Sequence, residues 1–144
     1  MTDIQAVHQS DIGILQEIDR ICQTHGIRYF LHAGTLIGAA RHQGPIPWDD
    51  DADVVFLRED YDRFLMEAAK DLQEPYQLLM PDDMNGFFDF IPKVMDTSLQ
   101  LKTQSFESEF DHHLGYPSVD LFSPSRNSGI FMLFFILYVT SNSF

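Results

Sequence analysis

Four aspartates lie within five residues in the first half of the chain: Asp49, Asp50, Asp51 and Asp53. They follow a tryptophan and lead directly into the apolar run 54–56. In an extended strand, residues two apart point to the same side, so Asp51 and Asp53 would share one face. Two such carboxylates can hold one divalent cation or bridge two. An acidic run is often only a solvated surface, but unpaired carboxylates beside a buried strand are costly, which favours a metal site.

A second chemical feature, the pair Gly34-Thr35, follows a short apolar run. Glycine has no Cβ and allows a ligand close to the backbone, and Thr35 is predicted to cap the helix that follows. The first turn of a helix presents free N–H groups and a partial positive charge, which suit a phosphate. The pattern is common at helix starts, so it predicts an anion site only in combination with the aspartates.

Three further residues have ordinary explanations when taken singly. Arg41 can be a positive charge at a helix C-terminus, Lys93 a surface lysine, and Asp120 an aspartate in a strand at a sheet edge. A calcium loop of the EF-hand type is a poor match, because Val54 occupies the position that requires glycine. The adjacent pair His112-His113 lacks the spacing of a metal pair and is interpreted as loop.

Hydrophobic periodicity predicts the elements that would position these residues. Helices are predicted at roughly 4–25, 36–42 and from Glu59 to Leu72, the last with Tyr61, Phe64, Leu65 and Ala68 on its buried stripe. Strands are predicted at 27–31, from Asp51 onwards, and at 76–80, 87–95, 116–122 and, after a turn, 96–102. The order of elements indicates an α/β (α+β) class.

Composition limits the kinds of protein that this chain can be. Its 144 residues predict one domain, and its net charge of −13, with nine Lys and Arg, argues against nucleic-acid binding through a basic surface. The single cysteine, Cys22, cannot form an internal disulfide and is predicted to be buried. The N-terminus lacks the features of a signal peptide, which predicts a cytoplasmic protein. The apolar run 129–139 is shorter than the roughly 20 residues of a membrane span, so no transmembrane segment is expected.

The combination of these features resembles a known fold and, more specifically, a known family. A strand, a Gly-Thr turn, a helix, a loop, an Asp-x-Asp strand and a later strand with a third Asp resemble the nucleotidyltransferase fold of the polymerase-beta type. The run HAGTLIGAARHQGPIPWDDDADV resembles the signature of the LicD family, also called the fukutin-related or phosphocholine-transferase family. The segments CQTHGIRYF, REDYDRFL, IPKV and SVDLF fit the same pattern, and the resemblance covers about residues 10–123.

This resemblance implies a mixed sheet flanked by helices and a phosphotransferase activity. Such enzymes move phosphocholine or a related phospho-alcohol from a CDP-linked donor, such as CDP-choline, to a glycan hydroxyl. By motif, Mg²⁺ or Mn²⁺ would be bound by Asp51, Asp53 and Asp120. Asp120 would also accept the proton of the acceptor, and Asp49 would assist through a contact to the ligands. Gly34 and Thr35 would cradle the donor phosphates, and Arg41 and Lys93 would neutralise phosphoryl charge.

The resemblance stops after Phe122, where the composition also changes. Residues 1–123 are therefore interpreted as a partial LicD-like domain and 124–144 as an atypical apolar tail. A truncated or frameshifted product, incomplete at its C-terminus, is the expectation, and the inner membrane surface is an alternative location. Two other functions stay open: a catalytically inactive domain that binds metal or nucleotide, and a glycosyltransferase whose Asp-x-Asp holds a nucleotide sugar. The second is disfavoured, because such enzymes usually have a longer Rossmann-like half before that motif.

Overall fold

A computed structural model describes residues 3–81, 91–101 and 115–124. Within these ranges the elements are, in chain order, α1 (Asp3–His25), β1 (Tyr29–Leu31), α2 (Ala33–His42), β2 (Ala52–Phe56), α3 (Arg58–Asp71), β3 (Tyr76–Leu79), β4 (Lys93–Asp96) and β5 (Ser118–Phe122). No helix in the described ranges has both the length and the apolar character required to cross a membrane.

The strands form one five-stranded sheet in the order β1-β2-β5-β4-β3. Strands β2 and β5 pair in parallel, and the other neighbours pair antiparallel. The predicted class is confirmed: the chain has a mixed sheet with helices packed on it. The last described strand lies in the centre of the sheet, between β2 and β4.

Helix α1 forms because its apolar residues recur at helical spacing and give one continuous buried stripe. Ile14, Ile18 and Ile21 have no exposed surface, and Cys22 is buried beside them, as predicted. Gly26 follows with a φ of +62°, a conformation that glycine adopts without strain and that commonly ends a helix. The stripe packs on β4 and β5 and against α3.

Helix α3 covers the same side of the sheet through a stripe that agrees with the prediction. Phe64 and Ala68 are buried, and Tyr61, Leu65 and Leu72 are partly buried against the core; these five are the predicted residues. The rings of Phe64 and Phe56 lie 4.7 Å apart between their centroids. In β2, Ala52, Val54 and Phe56 are buried on this side, so Asp53 between them points to the opposite face.

Helix α2 begins earlier than predicted, at Ala33 rather than near Leu36. His32 is the N-cap residue, with an extended backbone and no side-chain cap bond, so the prediction that Thr35 caps the helix is wrong. Thr35 lies within the first turn, and its Oγ1 accepts a hydrogen bond of 2.8 Å from the backbone N–H of Asp53. Its hydroxyl therefore joins α2 to β2 instead of capping its own helix.

Several strand predictions are corrected, and β3 and β5 are also shorter than predicted, at 76–79 and 118–122. Residues 27 and 28 precede β1, and Asp51 precedes β2 by one residue. The predicted strand 96–102 is wrong for the described residues 97–101, since β4 ends at Asp96. The cause is local: Asp96 Oδ1 accepts hydrogen bonds from the backbone N–H (2.9 Å) and the hydroxyl (2.6 Å) of Ser98, which turns the chain.

Several predictions concern residues outside the described ranges. The antiparallel pairing of β3 with β4 agrees with the predicted partner strand 87–95, of which 91–95 are described and 93–95 lie in β4. Most of the turn at 81–86, the strand start at 87–90, the His112-His113 pair and the apolar run 129–139 lie outside the described residues.

Candidate active site

Asp53 and Asp120 lie side by side on the central parallel pair of strands. They are register partners on β2 and β5, and both are half-buried. Paired positions on adjacent strands face the same side, at a strand spacing of about 4.8 Å. Val119 and Leu121 are buried with the main core, so Asp120, like Asp53, points to the other face of the sheet.

Lys93 extends this row onto a third strand. It is the register partner of Asp120 on β4, and its Nζ donates a hydrogen bond of 2.8 Å to Asp120 Oδ1. The two side chains are only 14% and 24% exposed, so water screens their attraction less than at an open surface. A cation thus already compensates one of the carboxylates that point to this face.

The remaining carboxylates carry a surplus of negative charge. Burial raises the pKa of Asp53 to about 6, and the charges of Asp51, Asp120 and Asp49 add to this effect, while Lys93 opposes it. The pKa of Asp51 is raised as well, first by burial and then by a hydrogen bond to Asp49 and the charges around it. A divalent cation bound between these groups would relieve this repulsion.

The start of helix α2 lies against the same cluster. A Cβ built on Gly34 would collide with the carboxylate of Asp49, so glycine allows this close approach and a larger residue would push the Asp49 side chain aside. The first N–H groups of a helix have no intrahelical acceptor, and the helix dipole is positive there. The start of α2, whose free N–H groups suit an anion, therefore lies next to the carboxylates predicted from the sequence. Thr35 joins the two through its hydrogen bond to Asp53.

The loop that carries Asp49 is fixed by contacts that sequence reasoning missed. His8 Nε2 lies 2.6 Å from the backbone oxygen of Asp49, and the Asp49 N–H donates to the Ile46 carbonyl at 3.0 Å. A Cβ on Gly38 would lie 2.5 Å from the Gly44 carbonyl oxygen, so the loop packs directly on the backbone of α2. In the sequence, only the positions of Gly38 and Gly44, on either side of the helix end, indicate this packing.

Arg41 lies away from this cluster. It is exposed in the last turn of α2, six residues after Thr35, or about 9 Å along the helix axis. None of the contacts found in the described ranges joins it to the aspartates. The structure therefore brings Gly34, Thr35 and Lys93 together with the three carboxylates, whereas a phosphate-binding role for Arg41 stays a prediction without a described contact.

Asp11 is a residue of this region that the sequence interpretation did not single out. It is 3% exposed in α1, and its Oδ1 has no hydrogen-bond partner in the described part of the chain. Burial raises its pKa to about 8, with further contributions from Asp51, Asp50 and Asp49. The sequence does indicate that Asp11 is buried, because a residue four positions after Val7 and three before Ile14 lies on the apolar stripe of the helix.

The donor chemistry of Asp51, Asp53 and Asp120 suits Mg²⁺ or Mn²⁺, which prefer carboxylate oxygens. Within the described ranges, however, no three His, Cys, Asp or Glu side chains are already arranged to hold an ion. Carboxylate oxygens are the ligands that such a metal prefers, and a bound metal would relieve the repulsion between these three groups. Their side chains would have to turn towards the metal.

Comparisons with known proteins assign the chain to one family. A family described as "LicD/FKTN/FKRP, nucleotidyltransferase domain" matches residues 26–133. The chain is 41% identical to the lipopolysaccharide cholinephosphotransferase LicD of Haemophilus influenzae over 73 residues, 51% of this chain and 28% of that protein. It is 48% identical to the human ribitol 5-phosphate transferase FKRP over 40 residues, 28% of this chain and 8% of that protein. The chain thus spans less than a third of the curated relatives that it matches.

Proposed function

The chain belongs to the LicD/FKTN/FKRP family, and from this premise we propose that it transfers phosphocholine or a related phospho-alcohol from a CDP-linked donor to a glycan hydroxyl. The named relatives are transferases of cholinephosphate and of ribitol 5-phosphate, which supports a transferase of this kind. Because the chain covers only part of each relative, the donor and the acceptor belong to the proposal.

The observation that carries the proposal is the row of Asp53, Asp120 and Lys93 across three adjacent strands, next to the start of α2. Phosphoryl transfer demands little covalent chemistry from the protein; it requires positioning and compensation of charge. Carboxylates that can bind a cation, a lysine and a helix start in one place supply these requirements.

In the proposed arrangement Asp51, Asp53 and Asp120 would hold Mg²⁺ or Mn²⁺. When bound, the metal supplies positive charge to the diphosphate of the donor and to the leaving oxygen. Gly34 and Thr35 would place the start of α2 against the phosphates, and Lys93 would share its charge between Asp120 and the transferred group.

The reaction forms one phosphorus–oxygen bond and breaks another. The acceptor hydroxyl oxygen attacks the phosphorus that carries the alcohol, and the bond from that phosphorus to CMP breaks. The acceptor proton passes to Asp120, and CMP leaves with the electron pair of the broken bond. The acceptor retains the phospho-alcohol as a phosphodiester.

The test is CMP release, followed by ³¹P NMR, by the full chain supplied with CDP-choline or CDP-ribitol, Mn²⁺ and lipopolysaccharide as the glycan acceptor. We expect CMP from at least one donor, loss of the signal with EDTA, and loss in Asp53→Asn. Asp50→Asn is the matched control, because Asp50 is an exposed carboxylate of the same run that the proposal does not assign to the metal. Absence of CMP from both donors with a folded chain would overturn the proposal.

The alternatives give different products in the same assay. An Asp-x-Asp glycosyltransferase would release a nucleoside diphosphate from a nucleotide sugar and no CMP. An inactive binding domain would show a rise in melting temperature with Mn²⁺ and donor, and no product.

A further inference from the structure

The acidic segment 49–51, which leads into β2, is not part of a helix or a strand. Strand β2 begins only at Ala52, and both Asp50 and Asp51 are exposed. The like charges of this segment repel one another, and an irregular exposed backbone gains entropy when it is released. Neighbouring elements must therefore hold the segment if its carboxylates are to stay in place for a metal.

Two hydrogen bonds from different helices hold this segment at its two ends. On the C-terminal side, Thr35 of α2 accepts the backbone N–H of Asp53 at 2.8 Å. On the N-terminal side, His8 Nε2 of α1 lies 2.6 Å from the backbone oxygen of Asp49. A carbonyl oxygen only accepts, so His8 must carry a hydrogen on Nε2 and donate it. Asp51 lies midway, two residues from each hydrogen bond.

The turn of α1 that carries His8 is itself fixed on the sheet. Val7, beside it, is only 6% exposed. Ser10 Oγ donates a buried hydrogen bond of 2.6 Å to Asp96 Oδ2 at the end of β4. His8 therefore reaches the segment from a rigid support, and this support lies outside residues 26–133, the range that the family matches.

We propose that His8 is a positioning residue of the candidate active site, which orders the segment 49–51 for metal binding by holding the Asp49 carbonyl. This role rests on the proposed function for one statement, that the metal bound there serves transfer from the donor. Among the described contacts, the His8 ring donates to the main chain and not to a carboxylate. His8 therefore acts on the metal site only through the backbone of Asp49.

Asp11 is the other residue of α1 that lies near the segment, and it does not hold the loop. It follows His8 by three residues, so the two share one side of the helix. The charges of Asp51, Asp50 and Asp49 contribute to its raised pKa, which places it close to them. Its Oδ1 has no hydrogen-bond partner in the described ranges, so the support from this side of α1 comes from His8.

The experiment measures the affinity of the full chain for Mn²⁺ by titration, with the free ion detected by electron paramagnetic resonance. His8→Phe keeps a flat ring and His8→Ala removes the ring, and both lack the donor. Each should weaken Mn²⁺ binding by about threefold to tenfold, the effect of one hydrogen bond that orders the site. His8→Gln retains an N–H donor on a side chain of similar reach and should recover most of the affinity.

The matched control is His25→Ala at the opposite end of the same helix. His25 lies 3.7 Å from Glu67 and 3.4 Å from Asp71, so its loss removes contacts between α1 and α3. This variant should melt at a lower temperature and keep the Mn²⁺ affinity of the wild type. Thermal melts of all variants establish the temperature at which each is folded, and the titrations are made below it.

The CMP assay supplies a second readout that a purely structural role would not move. At saturating Mn²⁺ and donor, His8→Phe should keep a kcat near that of the wild type, because His8 touches none of the reacting atoms. It should need more Mn²⁺ to reach this rate. A kcat that falls while Mn²⁺ affinity is unchanged would overturn the assignment of His8 as a positioning residue.

Other results also overturn the inference: wild-type affinity in both donor-free variants, failure of both to fold, an equal loss in His8→Gln, or an equal loss in His25→Ala. Failure of the proposed function looks different. Mn²⁺ binding that depends on His8 without CMP release would remove the transferase proposal alone. CMP release by the wild type, with Mn²⁺ affinity independent of His8, would remove only this inference, and absence of Mn²⁺ binding by the wild type would remove both.

Discussion

Lys93 and Asp120 form a 2.8 Å ion pair across neighbouring strands, in the row that also contains Asp53. Loss of this pair is predicted to have opposite effects on metal binding and on turnover. In Lys93→Met one positive charge leaves the cluster, so Mn²⁺ should bind more tightly by roughly threefold to tenfold. CMP release should fall, since charge compensation at the transferred group is lost. Titration of Mn²⁺ followed by the CMP assay measures both effects.

The control for this variant is Lys70→Met, because Lys70 is 63% exposed and lies 4.0 Å from Glu67. It should change neither quantity measurably. Weaker Mn²⁺ binding in Lys93→Met would show that Lys93 orders the carboxylates rather than competes with the metal for Asp120.

The hydroxyl of Thr35 is predicted to stabilise the junction of α2 and β2. Thr35→Val keeps the side-chain shape and removes the acceptor for the Asp53 N–H, at a cost of about 1–2 kcal/mol in the free energy of unfolding. Thr35→Ser retains the acceptor and should recover most of this loss. Urea denaturation of both variants checks the prediction, and equal stabilities of Thr35→Val and Thr35→Ser would contradict it.

Gly34→Ala is predicted to displace Asp49, because the new Cβ would collide with its carboxylate. The rise in melting temperature caused by Mn²⁺ with CDP-choline should shrink or disappear. Gly44→Ala is the matched control in the neighbouring loop, since its Cβ would meet open space. That variant should keep the full shift and unfold at the same or slightly higher temperature. Equal shifts in the two variants would mean that Asp49 is not needed at the site.

Asp11 predicts a pH dependence of stability in the metal-free chain. Its pKa is raised from 3.8 to about 8 in the folded state, so between these values the folded chain holds a proton that the unfolded chain has released. Stability is therefore highest below about pH 4 with respect to this group, and falls by at most about 1.4 kcal/mol per pH unit as the pH rises towards 8.

Asp11→Asn should remove this contribution. Urea denaturation with EDTA at several pH values would show a flatter profile and a more stable variant near pH 8. Asp53, whose pKa is raised to about 6, contributes in the same direction and remains in both proteins. The same profile in the wild type and in Asp11→Asn would contradict the burial of an unpaired carboxylate at Asp11.

Local patterns predicted the elements, and non-local contacts explain the errors. The stripes of α1 and α3 and the existence of strand β5 depend on residues close in sequence, and these predictions are confirmed. Thr35 was misassigned because its partner, Asp53, lies 18 positions later. A further strand was predicted at 96–102, whereas the hydrogen bonds from Ser98 to Asp96 form a turn there.

Gly34, Thr35, Asp51 and Asp53 were found because they belong to one short signature, and Lys93 and Asp120 because their own segments fit the same family pattern. Their roles stay predictions, with Asp51, Asp53, Asp120 and Lys93 close enough to test together. Asp11 escaped notice because its burial depends on a loop about forty residues away, and periodicity alone assigns it to the helix core.

The central place of β5 has a consequence for the growing chain on the ribosome. Among the described strands, β5 is made last, yet it lies between β2 and β4. Until residue 122 has left the exit tunnel, the β1–β2 pair and the β3–β4 pair each present an open edge that another chain can join. Asp53 and Lys93 meet Asp120 only when β5 enters, so the carboxylate–lysine row is completed in the same step that closes these edges. Translation pauses before that point should therefore increase aggregation of the nascent protein, and pauses after it should not.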